Sequence, residues 1–308
     1  MRKIKRLYSI AIILVLLGGL LFAQGKPEKQ KTDTKPTIAL SILPQRYFVQ
    51  RIAGDLVGSV VLVGEGQSPH SYEPTPSQMA ALAKAKAWIL SGTDFEEVLV
   101  DKVSSLYPNL MVIDGTEGVT FRSLEEHDHE EGEGSDHAVE GDSLERDRHT
   151  WLGWASAKIL AGHVLETATT LLPEQKVLLE ANHQQLIEEI DATFLSLKER
   201  LIPLAGRKVF VYHPSFGYFF DEFDLIQEAV EIGGKEPTAR DLSLLIQKAK
   251  SENAVALFVQ KQFPLASAQT VAKAAGAKVL ALDPLASDWM GNIKEMGETL
   301  LSTIGGPL

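Results

Sequence analysis

Seven short, mostly apolar runs constrain this chain more than any other feature. Ile38 to Leu43, Val60 to Val63, Ala87 to Leu90 and Met111 to Ile113 lie in its first part; Val209 to Tyr212, Ala254 to Gln260 and Lys278 to Leu282 lie in its second. Runs of this length and composition predict buried strands. The stretches between them have helical spacing: Tyr47 to Leu56, Ser77 to Ala85, Phe95 to Tyr107, Phe219 to Ala229, Ala239 to Lys250, Ser267 to Ala275 and, at the close, Met290 to Ile304. Strand and helix in alternation predict an α/β fold. Ligands of such folds bind beyond the C-terminal ends of the strands, so the residues found there are the first candidates for function.

Three strand ends carry a metal-capable side chain beside a proline. Val63 leads through Gly64-Glu65-Gly66-Gln67-Ser68 into Pro69-His70, the run to Tyr212 leads into His213-Pro214, and Leu282 leads into Asp283-Pro284. Proline has no N–H for a ladder and pushes the residue before it towards extended backbone, so it marks a strand opening into a loop. After His70, the segment Ser71 to Ser77 ends in Ser77, expected to cap the next helix and hold the loop in one shape. A further histidine, His149, stands where an acidic segment gives way to the helical spacing of Ala155 to Leu172. Each histidine taken alone fits an interior imidazole bonded to a carbonyl. Collected, His70, His149, His213 and Asp283 form a nitrogen and oxygen set of the kind that four-coordinate Zn²⁺ accepts. His163 and His183 lie inside helical stretches with no turn signal and are expected to be ordinary helix residues.

Two members of that set precede the longest helical stretch and two follow it. Pro173 suits a first helical turn. From Glu174 to about Leu201, Leu186, Ile190, Phe194, Leu197 and Leu201 recur at spacings of three and four, an amphipathic stripe. Such a helix is roughly 40 Å long, enough to join two domains, and 308 residues allow two of ordinary size. The expected organisation is an N-terminal α/β lobe over 37–172, a linking helix over 173–202 and a C-terminal α/β lobe over 203–308.

Ahead of the first lobe, Arg2, Lys3, Lys5 and Arg6 precede an uncharged run from Leu7 to Ala23. A basic n-region, an apolar h-region and a small residue at the cleavage point predict a cleavable signal peptide over 1–23, followed by a lysine-rich tether over 24–36. The chain has no cysteine, which excludes disulfides, thiolate ligands and lipidation on cysteine. The expectation is an exported periplasmic protein without a lipid anchor. Leu124 to Arg148 holds eleven Asp and Glu against two Arg, so about −9 of the chain's net charge of −11 is local to it. A tract this poor in apolar residues cannot bury enough to order itself. It carries His127, His129 and His137, expected as weak accessory metal contacts. Deleting Glu125 to Asp147 is expected to leave the tight site intact.

Four quoted motifs carry a resemblance: S-P-H-S-Y-E-P-T-P at His70, H-T-W-L at His149, V-F-V-Y-H-P-S-F-G-Y-F at His213 and A-K-V-L-A-L-D-P-L at Asp283. Their order, with the acidic histidine-bearing insertion before the second, resembles the metal-binding solute-binding proteins of ABC importers, the zinc and manganese cluster, from Thr37 to Leu308. The resemblance implies two α/β lobes joined by a single long linking helix, with the metal in the interlobe cleft. It implies His70, His149, His213 and Asp283 as ligands, Zn²⁺ as cargo with Mn²⁺ as runner-up, and delivery to a permease and its ATPase. It further implies a monomer with no nucleic-acid partner and no membrane insertion of the mature chain. One departure is Arg148, where the family usually has proline: a guanidinium stands beside a cation site. Three alternatives remain at this point. The chain is a manganese- or iron-binding member of the same family, an adhesin, or a zinc hydrolase. The hydrolase needs an open coordination position and a general base, for which Glu65 and Glu73 are the candidates. No H-E-x-x-H motif occurs, and the expectation is a protein that is not an enzyme.

Overall fold

The computed structural model describes residues 35–124, 146–229, 239–252, 254, 256–260 and 265–304. Two parallel four-stranded sheets organise them. β1 (Thr37–Ile42), β2 (Gly58–Val63), β3 (Ala87–Ile89) and β4 (Met111–Ile113) lie in the order β2-β1-β3-β4. β5 (Lys208–Val211), β6 (Ile226–Ala229), β7 (Ala256–Val259) and β8 (Lys278–Ala281) repeat that order as β6-β5-β7-β8. All pairings within them are parallel. In both sheets the chain first steps to one side and then returns to the other. Each sheet therefore has a switch point, between β1 and β3 and between β5 and β7, where diverging connections leave a crevice.

The helices are α1 (Leu43–Ala53), α2 (Pro76–Leu82), α3 (Asp94–Leu106), α4 (Trp154–Leu171), α5 (Lys176–Leu201), α6 (Gly217–Asp221), α7 (Ala239–Ser251), α8 (Leu265–Ala275) and α9 (Trp289–Ile304). The long helix α5 has 26 residues, preceded by a 3₁₀ turn at Pro173–Gln175 and followed by another at Ile202–Leu204. Its stripe faces inward as the spacing predicts, with Leu186, Ile190 and Phe194 wholly buried. Phe194 is a hub: it stacks on Trp154 and Phe223, with ring centroids 5.6 and 6.1 Å away, and meets Phe219 and Trp289. Through these contacts one continuous core takes in side chains of both sheets, α5 and α9.

One element departs from expectation. Phe219 to Ala229 is not a helix throughout: α6 stops at Asp221, and β6 begins at Ile226. The helical spacing of Phe219, Phe220 and Phe223 is real, and all three are buried. The chain then reverses through Asp224 in the left-handed region, at φ 55°, where its carbonyl accepts the Gly206 N–H at 2.7 Å. That reversal feeds Ile226–Ala229 into the sheet beside β5, in register from Lys208↔Ile226 to Val211↔Ala229.

Candidate metal site

His70 is held by a loop that is fastened on both sides. Gly64 N–H donates to Gln67 Oε1 at 2.8 Å, and Ser68 Oγ accepts the His70 N–H at the start of a 3₁₀ turn, Pro69–Ser71. The cap of the following helix is Thr75, not Ser77. Its Oγ1 accepts Gln78 N–H at 3.3 Å, and Pro76 takes the first helical position, where its missing N–H costs nothing. His149 precedes another 3₁₀ turn, Thr150–Leu152. His213 follows β5 at the switch point of the second sheet, and its carbonyl accepts Ser215 N–H and Gln260 Nε2–H, both at 2.8 Å.

These three imidazoles converge. His70 Nε2 lies 3.0 Å from His213 Nε2, which lies 3.3 Å from His149 Nε2. A tetrahedral ion with nitrogens at 2.0–2.1 Å sets neighbouring ligands about 3.3 Å apart, so the spacing fits Zn²⁺. His149 and His213 are buried, and His70 is partly so.

Carboxylates behind two of the rings set which nitrogen faces the centre. His70 Nδ1 lies 2.7 Å from Asp94 Oδ2, and His149 Nδ1 lies 2.8 Å from Asp147 Oδ1, which also accepts the His149 backbone N–H at 3.0 Å. A carboxylate only accepts, so each Nδ1 carries the proton and each Nε2 turns a lone pair inward. Lone pairs facing one another at this distance repel unless a cation or proton lies between them. The hydrogen bond with His70 holds the Asp94 carboxyl below the usual range, against the opposing effect of burial. Burial pushes Asp147 up, but His149 and Arg122 outweigh it and hold that carboxyl low as well.

Arg148 does not bring an uncompensated charge to the site. Its Nε lies 2.9 Å from Asp94 Oδ1, its Nη2 2.5 Å from Glu97, and its Nη1 donates to Gly92 O. Asp147, at the end of the acidic segment, belongs to the folded body: it is wholly buried, and Arg122 Nη1 lies 2.8 Å from its Oδ2. Arg122 reaches it across Gly217, where an added Cβ would collide with the guanidinium.

Asp283 is not brought into the group. The donor atoms within 4.8 Å of one another are those of His70, His149 and His213. Asp283 follows β8 at the edge of the sheet, its Oδ1 accepts Leu285 N–H at 3.0 Å, and Pro284 and Leu285 line the cavity at the histidines in its place. His127, His129 and His137 lie outside the described residues. His163 bonds to Glu117 O from within α4, and His183 lies within α5; neither joins the site.

Sequence reasoning missed Asp94, Asp147 and Gln260. Asp147 was submerged in an acidic composition, although its position two residues before a candidate ligand was visible. Gln260 follows the end of a strand as His213 does, but no proline stands beside it to mark the place.

The chain matches the family model described as zinc-uptake complex component A, periplasmic, over residues 38–303. It is 27% identical over 282 residues to the zinc-binding lipoprotein AdcA of Streptococcus pneumoniae, a match that takes in 91% of this chain and 56% of AdcA. This chain thus spans little more than half the length of that relative. It is 28% identical over 264 residues to the high-affinity zinc uptake system protein ZnuA of Yersinia pestis, covering 81% of this chain and 83% of that one. A crystal structure of ZnuA superposes with a TM-score of 0.78 at 34% identity, covering 87% of this chain and 98% of ZnuA.

Proposed function

The chain belongs to the family of the periplasmic zinc-uptake complex component A, and from that premise we propose that it captures Zn²⁺ outside the cytoplasmic membrane and delivers it to an ABC importer. His70, His149 and His213 hold the ion, with Asp283 or a water in the fourth position. The single observation that carries this reading is the convergence of three Nε2 atoms at 3.0 and 3.3 Å. Imidazole favours borderline ions such as zinc over harder ones such as manganese. The ion is cargo, and the recipients are a permease and its ATPase.

Among the described residues, those that line the cavity at the histidines include neither Glu65 nor Glu73, the two candidates for a general base. A periplasmic location agrees with the basic, apolar and small-residue succession of 1–23; those residues lie outside the described ones. No helix among the described residues is long and apolar enough to cross a membrane.

Calorimetric titration with Zn²⁺, with native mass spectrometry for stoichiometry, tests the proposal. One tight equivalent per chain is expected, lost when any one of the three histidines is replaced by alanine. Tight binding that survives all three replacements would overturn it.

A further inference from the structure

Two glutamines occupy the two switch points, and they are not equally satisfied. In the first sheet, Gln45 Oε1 accepts the N–H groups of Ser41 and Ile42, while its Nε2 donates to Ile89 O and Leu90 O. Both ends of its amide are used, and it ties β1 to the end of β3. In the second sheet Gln260 closes β7 beside His213. Its Nε2 donates to His213 O at 2.8 Å and to Ser215 Oγ at 2.7 Å, but its Oε1 is buried with no donor among the described residues. Rotating the amide would not help, since Oε1 would then face the His213 carbonyl, acceptor against acceptor. Gln260 is 1% exposed and lines the same cavity as the three histidines, a space of about 20 Å³. That is room for about one water.

We propose that Gln260 is a positioning residue of the metal site, whose Oε1 accepts a hydrogen bond from a water that completes the coordination of an ion held by His70, His149 and His213. This rests on the zinc-binding reading above. A water on a cation is a strong donor, and it supplies what the Gln260 carbonyl oxygen lacks. The same amide, through Nε2, holds the backbone of His213, so one side chain serves both a ligand and the open position. Asp283 is then left to its own turn.

Cobalt(II), whose visible spectrum reports coordination, tests this with azide as a competitor for the water. In the wild type, azide should change the cobalt spectrum, and Asp283→Ala should leave that response intact. Gln260→Met should weaken zinc binding by about 10–100-fold, the usual effect of losing a partner behind the ligands, and should tighten azide about tenfold, the worth of one hydrogen bond to the displaced water. Gln260→Glu keeps an oxygen towards the water but sets its other oxygen against the His213 carbonyl, so it should recover only part of the zinc affinity that Gln260→Met loses. An azide-blind wild type that becomes responsive in Asp283→Ala would make Asp283 the fourth ligand and overturn the inference while leaving the site standing. Equal weakness of the Met and Glu variants would also overturn it, reducing Gln260 to a support for the His213 backbone. A wild type with no histidine-dependent cobalt spectrum would take down the site and the inference together.

Discussion

At His213 the choice of an imidazole over a carboxylate bears on which ion the pocket prefers. A third imidazole completes a nitrogen-rich set suited to tetrahedral Zn²⁺, whereas a carboxylate offers two oxygens and supports the higher coordination of a harder ion. His213→Glu should lower zinc affinity and narrow the preference over manganese without reversing it, because zinc outranks manganese at most sites. Competition titrations read the ratio, and an unchanged ratio would place His213 away from the ion. Asp147 makes a second claim at this scale. Its carboxyl is depressed in the folded protein, so its contribution to stability is fully present above its unfolded pKa of about 3.9 and fades as pH falls through the lower folded value. Asp147→Asn should cost about 3 kcal/mol at pH 7, the low end for breaking a buried pair, since Arg122 keeps Asp221 at 2.9 Å. Thermal melts of metal-free protein should show the gap closing below about pH 4. Equal melting at pH 7 would show that the pair adds nothing.

Among the elements, the acidic segment offers the sharpest test. Fixing a tract so poor in apolar side chains around an ion costs about 1–2 kcal/mol per residue fixed, which weak carboxylate and imidazole contacts recover poorly. Removing residues 125–145 should therefore lower the total metal stoichiometry and leave the tight phase unchanged; loss of that phase would make the segment part of the primary site. The deletion that the composition suggests, Glu125 to Asp147, is a different experiment, because it also removes the carboxylate that orients His149 and should weaken the tight phase itself. Legibility divides along the same line. Strand ends, the long helix and the histidines were visible because periodicity and proline act locally. Asp94 was not, since it meets the His70 ring across 24 residues of chain, a contact decided by tertiary packing, and Asp147, only two residues from His149, was hidden among the carboxylates that precede it. The end of α6 was hidden for a related reason: the three phenylalanines keep helical spacing up to a reversal at Asp224 that no glycine announces.

For the whole molecule, α5 and the shared core decide how far the lobes can part. α5 has no internal glycine or proline to kink it. Trp289 at the start of α9 packs on Phe48 of α1 with centroids 4.9 Å apart, and its Nε1–H donates to Trp151 O at 2.7 Å. Trp151 in turn donates to Pro284 O at 2.6 Å. Opening the cleft widely would break these buried contacts, so small-angle scattering of metal-free and zinc-loaded protein should differ only slightly. A large compaction on loading would contradict the linking role of α5. The claim on which the rest depends is that three imidazoles from these separate elements share one ion. X-ray absorption at the zinc edge of the loaded protein tests it most directly: the account predicts four light ligands at about 2.0–2.1 Å, with the outer-shell scattering of three imidazoles. A shell made mainly of oxygen, with one imidazole or none, would contradict it.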